Sequence, residues 1–159
     1  MRALPMLAFA VCLPLSLRAQ DAQHPTGEHA TQAVQGGGAV PAGWTARPDD
    51  QAGLTNVKAV PMGSGIHVTL GPAIILYKAA HDGKGPFHTL ATFTQTKATA
   101  HPEGYGLFAG GRGLGGPAQS YVYFLIRQDG SYLIKRRDGD NTSDISKGWV
   151  ADPAVRKPD

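Results

Sequence analysis

The chain has 159 residues, room for one domain, with 42% hydrophobic and 17% charged residues and a formal net charge of +3. Removing a leader that carries Arg2 and Arg18 takes the 15 basic residues to 13, against 12 acidic ones. A balance this close to zero excludes a whole-protein field that would gather nucleic acid or an anionic membrane surface. The single cysteine, Cys12, falls in the same leader, which excludes disulfides and thiol chemistry from the mature chain.

The leader is MRALPMLAFAVCLPLSLRA, residues 1–19. Arg2 supplies the positive start, Leu4 to Leu17 the apolar run, and Ala19 a small residue for cleavage. The run holds Pro5 and Pro14 and is shorter than the roughly 20 residues a membrane-spanning helix needs. The expectation is a removed secretory signal, no stable membrane insertion, and a protein exported to the periplasm or the extracellular space. Val11 is too bulky to make Cys12 a good lipid-attachment site.

Residues 20–41 are rich in Gln, Thr, Ala and Gly and poor in bulky apolar side chains, so a flexible linker is expected there. His24, Glu28 and His29 lie in it without a rigid frame for metal geometry. The ordered domain is expected over 42–159. Val57 to Val60, Ile66 to Leu70 and Ala73 to Tyr77 read as short strands broken at Pro61, Gly63-Ser64-Gly65 and Gly71-Pro72. Residues 87–97, FHTLATFTQTK, alternate most cleanly and predict a long strand, with Phe87, Thr89, Ala91 and Phe93 on one face. Tyr105 to Ala109 is a strand with glycine inside it, a mark of a bulge or a close backbone approach. GGRGLGG follows, but it lacks a Lys-Ser or Lys-Thr pair and leads into a strand, so it is a connection rather than a phosphate cradle.

Residues 120–137, SYVYFLIRQDGSYLIKRR, form the strongest signal, two strands around Asp129-Gly130. A two-residue loop pairs Ile126 with Leu133, Phe124 with Lys135 and Val122 with Arg137 on one face. It pairs Arg127 with Tyr132, Leu125 with Ile134 and Tyr123 with Arg136 on the other, with Tyr121 just beyond. A slip of one residue exchanges the faces of one strand. No stretch has sustained helical periodicity, and the whole reads as all-β, an antiparallel β-sandwich.

Three fragments in order, GPFHTLATFTQTK, HPEGYGLFAGG and QSYVYFLIRQDGSYLIKRRDG with Trp149 after it, resemble the concanavalin A-like lectin/glucanase sandwiches. The resemblance is closest to exported bacterial proteins of the laminin-G-like and 3-keto-disaccharide hydrolase kind, and spans residues 65 to 149. It implies a jelly-roll sandwich that acts on or binds carbohydrate. Hydrolase-like members carry a carboxylate in the strand after the glycine-marked one, whereas YVYFLIR has none. The chain stops at Asp159, before further strands of that fold, so a truncated member or a smaller sandwich with an open edge is expected. An open edge favours contact with another protein chain.

Glycoside cleavage needs two facing carboxyl groups. Glu103 is the one glutamate of the expected domain, and Asp82, Asp129, Asp138, Asp140 and Asp144 sit in expected turns. Glu103 is thus the weak catalytic candidate of an alternative reading, a 3-keto-disaccharide-type glycoside hydrolase. Asp138, Asp140 and Asp144 place oxygens at alternate positions, as calcium loops do, but the twelfth position is Trp149 instead of glutamate. Calcium is the one cofactor these residues suggest, and otherwise none is expected. His67, His88 and His101 fall on separate elements, and Asn141-Thr142-Ser143 has the glycosylation pattern. The favoured expectation is a non-catalytic carbohydrate-binding module whose surface comprises Tyr121, Tyr123, Arg127, Tyr132 and Arg136. Rings with hydroxyl rims beside guanidinium donors suit the apolar faces and polar rims of sugars. A structural or protein-docking module is the further alternative.

Overall fold

The computed structural model describes residues 33–49, 53–81, 83–97 and 101–157. The expected signal over 1–19, most of the linker, the His24, Glu28 and His29 group, and Asp82 lie outside these residues. What is described is all-β: nine strands, all paired antiparallel, with one 3-10 turn at Leu54–Asn56. Among the described residues no helix is long and apolar enough to cross a membrane.

Two small ladders come first. Strands β1 (Thr45–Pro48) and β4 (Ile74–Tyr77) pair with Thr45 opposite Tyr77. Strands β2 (Val57–Met62) and β3 (Gly65–Leu70) form a hairpin whose loop is Gly63-Ser64, with Gly63 at φ 59°. Val57 and Ala59 are buried on β2, and the chain before β1 is hydrogen-bonded to the backbone beside them. The Gly38 amide donates to the carbonyls of Leu54 and Val57, and the Ala59 amide to that of Ala39. The described end of the expected linker, from 33 to 41, is therefore tied to β2 by its backbone.

The main sheet runs β5 (Tyr105–Arg112), β6 (Ser120–Arg127), β7 (Ser131–Asp138), β8 (Asn141–Asp144), with β9 (Val150–Ala151) on the start of β7. β8 lies where turns were expected around Asp140 and Asp144. The register of β5 shifts between Ala109 and Arg112, which carries the strand through Gly110 and Gly111 instead of ending it at Ala109. Gly106 marks a close approach: a Cβ there would stand 2.0 Å from the Phe124 carbonyl oxygen and 3.0 Å from the Leu125 Cα.

The central hairpin corrects the two-residue loop. Tyr121 pairs with Arg137, Tyr123 with Lys135, Leu125 with Leu133 and Arg127 with Ser131, so the loop is Gln128-Asp129-Gly130. Gly130 takes φ 83° and its amide donates to the Arg127 carbonyl at 3.1 Å. A turn over Gln128-Asp129 followed by one left-handed glycine is the three-residue hairpin, and it moves the pairing by one residue. Asp129 holds the turn by accepting from the Ser131 amide at 3.1 Å and the Ser131 hydroxyl at 2.5 Å.

The inner face thus carries Tyr121, Tyr123, Leu125 and Arg127 with Ser131, Leu133, Lys135 and Arg137. Tyr121, Leu133 and Ser131 are buried there. β1 is joined to this face where Arg47 Nη1 donates to the Oε1 of Gln119, a side chain with no exposure, and where Arg137 meets Asp49 at 3.6 Å. The outer face carries Val122, Phe124 and Ile126 with Tyr132, Ile134 and Arg136. Val122 and Phe124 are 39% and 43% exposed.

The long strand expected over 87–97 is also corrected. Every residue there is exposed, Leu90 at 94%, and the segment joins no ladder. Alternation says which side chains would share a face, but a strand also needs a neighbouring backbone to pair with. The segment touches the sheet through side chains, Phe93 against the Tyr105 ring at 5.5 Å and Gln95 Nε2 donating to Gln128 Oε1 at 3.2 Å.

Gly106→Ala is expected to lower the unfolding free energy by about 1–3 kcal/mol, the cost of forcing strands apart. Gly115→Ala, where the nearest atom to a Cβ is the Tyr77 hydroxyl at 3.8 Å, serves as the comparison. Urea titration distinguishes them, and equal midpoints for the two variants would contradict the close approach at Gly106.

Candidate binding surface

The hairpin register decides what each of the five expected binding residues does. Tyr121, Tyr123 and Arg127 point to the inner face, whereas Tyr132 and Arg136 point to the outer one, so they form no single surface. Tyr121 is 5% exposed and packs between the rings of Phe108 at 5.3 Å and Tyr123 at 5.7 Å. Arg127 is occupied. Its Nε meets Asp129 at 2.7 Å and donates to the Ser131 hydroxyl at 2.9 Å, while its guanidinium lies 4.1 Å from the Trp149 ring centroid. Trp149 in turn covers Gly104, where a Cβ would come within 2.9 Å of Cη2. These side chains close the inner face.

Burial also sets their chemistry. Desolvation, with the negative charges of an ionised Tyr121 and of Asp49 adding to it, pushes the Tyr123 phenol up to about 12, and desolvation raises Tyr121 as well. At Asp129 desolvation opposes ionisation, but hydrogen bonds from Ser131 and Arg127 and the Arg127 charge outweigh it together, holding the carboxyl below its ordinary value.

The outer face is where aromatic and basic side chains meet solvent. Phe124 and Tyr132 sit diagonally across the β6–β7 ladder with ring centroids 6.0 Å apart and planes 26° from parallel. Toward the far end of the same face, Ala109, Gly110, Arg112, Ser120, Val122 and Arg136 line a cavity of about 270 Å³, joined by Tyr121. The β5 register shift makes this recess: it brings Arg112 opposite Ser120 on the outer face. Sequence reasoning identified Tyr132 and Arg136 but missed Phe124, which the two-residue loop put on the face opposite them, and Arg112, hidden in a glycine-rich run. The signal for Phe124 was its alternation with Tyr121 and Tyr123, while nothing local signals the register shift that turns Arg112.

The acidic candidates separate. Asp140 lies 4.0 Å from Arg137 and Asp144 lies 3.1 Å from Lys135, while Asp138 is exposed on the outer face. Asp138 and Asp144 thus face opposite sides of the sheet, and the connection between β7 and β8 is a tight turn at Gly139-Asp140. Among the described residues no three His, Cys, Asp or Glu side chains gather to hold a metal ion. Glu103 is exposed in the loop before β5, at the edge of the sheet away from β8. By strand spacing it stands roughly 20 Å from Asp144, beyond the reach of a hydrolytic carboxyl pair. Asp129, nearer by register, is held by its turn. No protein-family model matches the chain, and no curated protein or solved structure matches it either.

Tyr123 has a raised value, so its neutral form is favoured in the fold. Its contribution is complete below about pH 10 and is lost as pH rises toward 12. Wild type is expected to lose more unfolding free energy between pH 9 and 11.5 than Tyr123→Phe. Urea titrations at both pH values measure it, and equal losses would refute the buried phenol.

Proposed function

We propose that the chain is an exported carbohydrate-binding module, non-catalytic, that receives its ligand on the outer face of the five-stranded sheet. The reading takes residues 1–19 as a removed signal and the antiparallel sheets as parts of a concanavalin A-like jelly-roll sandwich. The observation that carries it is the near-parallel pair of exposed Phe124 and half-buried Tyr132, with Arg136 and the Arg112–Ser120 recess along the same face. Flat rings take the C–H face of a sugar, and hydroxyl and guanidinium donors take its rim. The recess, about 270 Å³, is near the lower end of small-ligand sites, which fits one sugar unit while its neighbours lie across the rings. Phe124→Ala and Tyr132→Ala are expected to weaken retention on polysaccharide affinity gels by about tenfold each, about 1.4 kcal/mol per ring. Tyr123→Phe, on the inner face, serves as the control. Retention of both ring variants at the wild-type level would sink the platform.

A second reading is favoured by a different observation. Among the described residues β5 ends the sheet with one edge unpaired, and the strand-patterned segment 87–97 has no ladder of its own. Both halves of an added strand pair belong to every copy, so the partner is a second copy of this chain exchanging the segment. Light scattering after size exclusion tests it: a dimer that dissociates in Thr92→Pro is expected, and a monomer at all concentrations rules it out.

A further inference from the structure

We infer that the saccharide taken by this face is acidic, with a carboxylate or sulfate held between Arg112 and Arg136; the inference rests on the carbohydrate reading above. The arginines on the strands divide by environment. Arg47 is bonded to Gln119, Arg127 to Asp129 and Ser131, and Arg137 to Asp49 and the Gly139 carbonyl. Arg112 and Arg136 are exposed, line the same recess, and have no ion pair or hydrogen bond among the described residues.

The ladder explains how they come together. Arg112 on β5 stands opposite Ser120 of β6, and Arg136 on β7 stands opposite Val122, two residues along the same strand and on the same face. Two strand spacings and two residues put their backbones about 12 Å apart. Both side chains are long enough to meet over β6, with the Ser120 hydroxyl beneath them. Guanidinium groups present planar forks of N–H donors that match carboxylate and sulfate oxygens two at a time, which a neutral hydroxyl does not exploit. Asp138, opposite Ser120 on β7, shares this face. It makes no ion pair with either arginine among the described residues, and one carboxylate against two guanidinium groups leaves the recess positive. The adjoining Val122 and the Phe124–Tyr132 rings then bind the sugar rings that carry the acid, which distinguishes a saccharide from a free anion.

The test measures binding of the mature chain by calorimetry to three oligosaccharides of equal length: a neutral glucan, an oligogalacturonate and a sulfated galactan. The acidic pair is expected to bind about tenfold tighter than the neutral one at low salt, with the advantage shrinking as salt is raised. In Arg112→Gln/Arg136→Gln, shown folded by circular dichroism, the ratio of acidic to neutral affinity is expected to fall to near one. Equal binding of all three by wild type, or a preference that survives the double substitution, overturns the acidic class alone. Failure to bind any of the three overturns the carbohydrate reading itself.

Discussion

One left-handed residue, Gly130, sets which side chains of this protein face one another. With φ at 83° after a turn over Gln128-Asp129, it ends a three-residue loop, and the strands on either side pair from Arg127–Ser131 outward. Asp129 reinforces that choice because its carboxylate accepts from both the amide and hydroxyl of Ser131 and pairs with Arg127. All later residues of β7 inherit their face from this point. Leu133 goes inward and is buried, while Ile134 and Tyr132 go outward.

The inner face is joined to the rest of the chain by polar contacts as much as by apolar packing. Gln119 has no exposure, yet its side-chain amide and its carbonyl are engaged: Oε1 accepts from Arg47, Nε2 donates to the Gly139 carbonyl at 3.3 Å, and its own carbonyl accepts the Gly139 amide at 2.7 Å. Arg137 adds bonds to the same Gly139 carbonyl and to Asp49. A buried amide without partners would cost about 1–3 kcal/mol, so the network specifies one seating of β1 against the β7–β8 turn. Tyr121 and Tyr123 sit beside it, and their raised phenol values report the same burial.

What that seating leaves outside is the opposite face. The strand arginines with partners are on the closed side or at its margin, whereas Arg112 and Arg136 have no side-chain partner among the described residues and share their face with exposed Phe124. The division follows from the period-2 geometry of the sheet. A single register turns one set of side chains toward Trp149 and the Arg47–Gln119 and Asp49–Arg137 contacts and presents the alternate set on the opposite face. The functional proposals concern that second set, because a ligand can reach it without disturbing the packed side.

Local residue patterns suffice for much of this. The all-β character, the breaks at Gly63-Ser64 and Gly71-Pro72, the short strands around Val57, Ile66 and Ile74, and the existence of the 120–137 hairpin follow from β-branched and aromatic runs punctuated by Gly and Pro. The break expected at Pro61 does not occur, because Pro61 pairs with Ile66 inside β2. The close approach signalled by glycine in β5 also lies in the sequence, at Gly106. The hairpin register does not, because Gln-Asp-Gly accommodates a two- or a three-residue loop with the same side chains. The choice between them comes from the Asp129–Ser131–Arg127 bonds and from burying Leu133. Nor does the fate of 87–97 lie in its own alternation, since pairing depends on a neighbour far along the chain. The placing of Arg112 depends likewise on a shift in a ladder it shares with Ser120. Side-chain alternation is a local property of the backbone, but which face is covered depends on contacts between distant strands, and those form only when the chain folds.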